Sequence, residues 1–255
     1  MPSARLRSLK KEVAALSDPV RAVGVARFFK TGKGGYGEGD KFLGIHVPDL
    51  RRLARMARDL ALDDALELLH SSWHEERLLA LMILAGQHER GLDAEKAAIH
   101  RAYLANTKCV NNWDLVDSSA REIVGYHIAR RGTKLIERLA KSKSLWERRI
   151  AIIATFYTIS EKNFAPTLLI AERLLGDEHD LMHKAVGWML REVGKRDVTV
   201  LRHFLSKHAA EMPRTALRYS IERFPEPERK KWLAVKARSA TISLPRSHRS
   251  SASLR

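Results

Sequence analysis

The stretch Asn112-Trp-Asp-Leu-Val-Asp-Ser-Ser119, "NWDLVDSS", sets a register that runs through much of the chain. "RLLALMIL" begins at Arg77, "ERRIAIIA" at Glu147 and "MHKAVGWM" at Met182, so the four octets start 35 residues apart. Their fourth and fifth positions are the apolar pairs Ala80-Leu81, Leu115-Val116, Ile150-Ala151 and Ala185-Val186, suited to packing between neighbouring helices. A period of this length holds two helices and two turns, the unit of an α-solenoid. The remaining apolar periodicity is also helical, and no alternating run bounded by turns stands out. The expected fold is therefore all-α, a curved helical repeat solenoid in which one helix per repeat lines a basic concave face.

One stretch argues superficially for a different fold. "GKGGYGEG", Gly32 to Gly39, contains G-x-G-x-x-G at Gly32, Gly34 and Gly37. That pattern cradles a pyrophosphate only where it follows a strand and opens a helix. Here it follows "DPVRAVGVARFFK", which starts a helix at Asp18-Pro19, and it precedes a second helix opened by Pro48-Asp49. The dinucleotide reading fails on its flanks, and residues 31–40 are expected to be a mobile helix connection that could lie on a ligand.

Charge narrows the partners. The chain has 255 residues, with 46 Lys plus Arg against 30 Asp plus Glu, a net charge of +16. Such an excess suits a polyanion, and nucleic acid is favoured over a membrane surface because no apolar run reaches spanning length. The N-terminus lacks a signal-peptide core and Cys109 is the only cysteine, so a reducing, cytoplasmic location is expected. Residues 236–255 read as a basic disordered tail, and residues 1–235 as a single domain. Without the tail the balance is still 41 against 30, so the positive charge belongs to the fold.

Trp113 and Asp117 are four residues apart and share a helix face. The plainest reading makes the tryptophan core and the aspartate a surface acid. Asp117, however, occupies the octet slot held elsewhere by Met82, Ile152 and Gly187, and a carboxylate there needs a partner. Arg149, one repeat on, is the candidate partner, expected to lower the carboxyl pKa. Gly187 beside Trp188 leaves room for something to approach closely. "HDLMH", His179 to His183, differs from the zinc-protease helix motif by Asp for Glu and has no third ligand nearby. No metal or other cofactor is expected.

"KFLGIHVPDLRRL", "WDLVDS", "LWERRIAI" and "KAVGWMLREVGK", taken in order over residues 20–225, resemble the AlkD-type DNA alkylation repair glycosylases, HEAT-like repeat proteins that excise alkylated purines. The resemblance implies a HEAT-like solenoid with Trp113 and Trp188 as the aromatic pair, Asp117 as the catalytic carboxylate and Arg149 as the arginine that orients it. It implies hydrolysis of the N-glycosidic bond of 3-methyladenine or 7-methylguanine in double-stranded DNA, with the damaged nucleotide held against the concave surface without a deep pocket. A longer glycine-rich loop and the basic tail depart from that family's pattern. Phosphate contacts are expected from Lys33, Arg148, Lys184, Arg191, Arg214 and Arg218, with Glu38 and Asp40 opposing Lys33. The protein is expected to act as a monomer. The rival readings are a non-catalytic HEAT-repeat protein that binds bent, branched or damaged DNA, and a HEAT scaffold for an acidic protein partner.

Overall fold

The computed structural model describes residues 2–235, and the expected basic tail lies outside the described residues. In chain order the α-helices are α1 (Ala4–Ala15), α2 (Pro19–Phe28), α3 (Val47–Met56), α4 (Leu62–Leu69), α5 (His74–Arg90), α6 (Asp93–Ala105), α7 (Trp113–Asp117) and α8 (Tyr126–Arg131). They continue as α9 (Lys134–Leu139), α10 (Leu145–Ser160), α11 (Ala165–Arg173), α12 (Asp180–Gly194), α13 (Val198–His208), α14 (Arg214–Ser220) and α15 (Glu226–Leu233). Among the described residues there is no strand, only a single isolated bridge between Lys41 and Trp73. None of their helices is long and apolar enough to cross a membrane.

The starts are chemically marked. Asp18 accepts from the Arg21 amide with Pro19 in the first turn of α2, and Ser144 caps α10 while Asp197 caps α13. These oxygens satisfy amides that the helix itself leaves unpaired. Pro48 lies in the first turn of α3.

All four octets fall on helices of one layer: α5, the α7 to α8 segment, α10 and α12, continued by α14. Each of these packs against the next, while α4, α6, α9, α11 and α13 back them as a second layer. The eight residues of the apolar pairs are at most 1% exposed, as their place between neighbouring helices requires. One continuous cluster of buried apolar residues runs from Leu6 to Phe224.

Two joints of the stack are built alike. A Cβ on Gly125 would lie 2.4 Å from the Ala154 carbonyl oxygen and 2.5 Å from Tyr157 Cβ. On Gly187 it would lie 2.5 Å from both the Ala216 oxygen and Tyr219 Cβ. In both cases the neighbours are an Ala and a Tyr 29 and 32 residues further on. What approaches Gly187 is thus the backbone of α14, and the gap left by its missing side chain is filled by the fold itself. Gly125 closes a π-helical turn, Arg121–Gly125, between α7 and α8, so the second repeat departs from regular helix beside the residues of interest.

Helix α2, like α15, has no buried residue. Its apolar residues recur at helical spacing, yet none is buried, and Val20 and Phe28 are 86% and 67% exposed. After it, the glycine-rich loop doubles back. Gly39 donates to Thr31, Gly34 donates to the Glu38 carboxylate, and Gly37 packs so tightly on the Phe29 carbonyl that a Cβ would come within 2.5 Å of it.

Candidate active site

Asp117 ends the short helix α7, and its carboxylate meets Arg149 of α10 in a two-pronged pair. The Arg149 Nε–H donates to Oδ1 at 2.9 Å and Nη2–H to Oδ2 at 2.8 Å. Nη1–H donates to the Leu181 carbonyl of α12 at 2.7 Å. One buried guanidinium therefore joins three successive helices of the inner layer. The expected lowering of the Asp117 pKa does not win: burial pushes the carboxyl above its ordinary value, Arg149 pulls it back, and Asp114 adds to the rise. The parallel charge-assisted bonds fix the carboxylate's orientation.

Trp113, at the other end of α7, lies flat on Phe29 with centroids 5.3 Å apart and planes 7° from parallel, while Phe28 meets it edge-on. Trp188 of α12 is half-buried, packs edge-to-face on Phe156 and donates its indole N–H to Glu192. Trp113, Asp117, Arg149 and Trp188 all face one cleft of about 630 Å³. Lys30, Tyr36, Asp180, Lys184, Arg191 and Tyr219 are among the other residues that line it. A second, largely apolar cavity of about 740 Å³ adjoins it beneath α2, with Phe28, Trp113 and Asp117 common to both.

The six expected phosphate contacts divide. Lys184 and Arg191 border the cleft, paired with Asp180 and Glu222 respectively. Lys33 and Arg218 are exposed but stand apart from it. Arg148 is held by Asp177 at 2.5 Å and by the carbonyls of Ser142 and Lys143. Arg214 donates to the carbonyls of Leu233 and Val235 beyond α14. Those two arginines stitch the fold, and neither lines the cleft. The expected repulsion around Lys33 is also weaker: Glu38 is turned onto the loop backbone and Asp40 is neutralised by its own partners. The histidines of "HDLMH" serve the start of α12, His179 accepting from the Leu181 amide and His183 donating to the Asp177 carbonyl.

The largest feature that sequence reasoning missed is a buried ionic group behind Trp113. His74, 2% exposed, donates Nδ1–H to Asp40 at 2.7 Å and Nε2–H to Asp114 at 2.8 Å, and Arg77 donates to Asp40 at 2.6 Å. Burial opposes the charge on His74, but the hydrogen bonds and charges of Asp114 and Asp40 outweigh it and lift the pKa to about 9. Asp40 is correspondingly lowered: burial raises it, and His74 and Arg77 more than compensate. Beside it Glu75 accepts from the amides of Leu43, Gly44 and Ile45. Phe28, Phe29 and Tyr36 were likewise missed; the paired phenylalanines at the end of α2 and a tyrosine among glycines were the available signals.

Comparison with known proteins places the chain in a family. A family model described as DNA alkylation repair enzyme matches residues 9–224. A solved structure described as a predicted DNA alkylation repair enzyme from Enterococcus faecalis matches with a TM-score of 0.63 at 17% identity, covering 82% of this chain and 97% of that one. That identity speaks for the fold alone. No curated protein matches. With the family model spanning most of its length, the chain belongs to the DNA alkylation repair enzyme family.

Proposed function

We propose that the protein is a monofunctional DNA glycosylase that releases cationic alkylated purines from double-stranded DNA. The observation that carries this reading is the convergence of Trp113, Trp188 and the Asp117–Arg149 pair on one cleft with lysine and arginine at its rim. Alkylation at N3 or N7 leaves a positive charge on the base, so the C1′–N bond breaks with its electron pair passing to the base, which departs neutral. The charge then develops on the deoxyribose. The Asp117 carboxylate stabilises the oxocarbenium-like sugar and orients the water that adds to C1′, which loses a proton to leave an abasic site. The tryptophan faces attract the cationic nucleotide, each by about 1–2 kcal/mol where water is excluded. Lys30, Lys184 and Arg191 suit the flanking phosphates.

The test is direct. Purified protein incubated with methylated duplex should release free 3-methyladenine and 7-methylguanine above a no-enzyme control. Release of neither would refute the glycosylase reading in favour of a module that binds damaged DNA without cutting it.

A further inference from the structure

His74 and Asp114 of the ionic group behind Trp113 line the apolar cavity, the whole group lies outside the cleft, and the chemistry above makes no use of it. We infer that His74 is a positioning residue, clamped between Asp40 of the glycine-rich loop and Asp114 of α7, that holds Trp113 and Asp117 in register with the cleft.

Two routes run from His74 to Trp113. The first is polar: Nε2–H donates to Asp114, the residue after Trp113, at 2.8 Å. The second is a run of rings. Phe42 stacks on His74 at 4.4 Å, the Phe29 ring lies 5.0 Å from the same imidazole, and Phe29 stacks in turn on Trp113 at 5.3 Å. Helix α7 spans only Trp113–Asp117, too short to hold its own direction without outside support. The same imidazole reaches Asp40 at the end of the loop, so the loop and the helix share one anchor.

The charges facing His74 are Asp40 from the loop and Asp114 from α7. On its own helix Arg77 is turned to Asp40 and Glu75 to the backbone amides of residues 43–45. With His74 protonated, two carboxylates meet two cations. Without that proton, the buried Asp40 and part-buried Asp114 carboxylates face a neutral ring and the clamp loses a donor, an arrangement that burial penalises. The loop and α7 should therefore loosen together as His74 deprotonates.

For excision this inference rests on the glycosylase reading, so the experiment has a second readout that does not. In full-length protein labelled with 5-fluorotryptophan, the Trp113 fluorine resonance, assigned with Trp113→Phe, should titrate with a midpoint near 9 and lose that titration in His74→Gln. In single-turnover assays on methylated duplex, His74→Gln and Asp114→Asn should each slow base release about ten-fold or more while duplex affinity changes less than about three-fold. Asp114→Glu should recover part of the rate. A Trp113 resonance that behaves identically in wild type and His74→Gln would overturn the inference, as would unchanged excision in both variants. Should His74→Gln not fold, Asp114→Asn at the rim of the cavity carries both measurements. If wild type releases no base, the glycosylase reading fails alone, and the fluorine titration still decides whether His74 governs Trp113.

Discussion

Asp117 is held by two bonds from Arg149, yet burial raises its pKa. The proposed glycosylase reaction needs this carboxylate in its charged form, so the raised pKa would set an acid limit to excision above the ordinary aspartate range. Excision should fall as pH drops through that raised value, and Asp117→Asn should be slower by two orders of magnitude or more with no such limb, the scale expected for loss of a key electrostatic group. Single-turnover rates across mildly acidic pH, with circular dichroism to verify folding, check both. Asp117→Asn keeps an oxygen for Arg149, so the fold should survive; Asp117→Ala would strand a buried guanidinium and cost about 3–5 kcal/mol. Comparable excision by Asp117→Asn and wild type would remove Asp117 from the mechanism.

Among the elements, α12 and α14 touch through Gly187, where a methyl group would meet the Ala216 carbonyl and Tyr219 Cβ at 2.5 Å. Neither neighbour is the free end of a flexible side chain, so Gly187→Ala must push α14 outward. The expected cost is about 1–3 kcal/mol, and the melting temperature should drop by roughly 2–10 °C for a chain of this size. Excision should fall as well, because Trp188 is the next residue and Tyr219 shares its cleft. A substituted protein with wild-type melting and activity would mean that the joint is slack. The sequence marked these joints only in part. The octets were legible because helix packing repeats every 35 residues, and the Asp117–Arg149 pair followed from that register. The clamp was not legible, since His74 meets Asp40 and Asp114 across separations of 34 and 40 residues with no periodic signal. The engagement of Arg148 by a carboxylate and of Arg214 by carbonyls was not legible either, because a count of positive charges does not say which arginines are already paired.

For the whole molecule, stability should peak near neutrality. His88 and His100 are pushed down to about 4 by burial and by His127, against which His100 stacks at 3.9 Å. The unfolded chain takes up protons at these sites below about pH 6.5 while the folded one resists, so stability should be lost as pH falls from there towards 4. His74 has the opposite sign. Its contribution is fully present below about 6.5 and disappears as pH rises through about 9. Melting temperature against pH should therefore fall on both sides, with His100→Gln flattening the acid flank and His74→Gln the alkaline one. Binding to duplex should weaken steeply with salt. Lys184→Ala should reduce the slope by about 0.9, whereas Arg148→Ala should lower stability and leave the slope unchanged. One further property follows from α2, which buries none of its side chains. Its backbone amides should be among the first of the helical amides to exchange with deuterium, through openings that cost far less than global unfolding. Because Phe28 borders both the cleft and the apolar cavity, each such opening would merge the two adjoining hollows into one continuous passage.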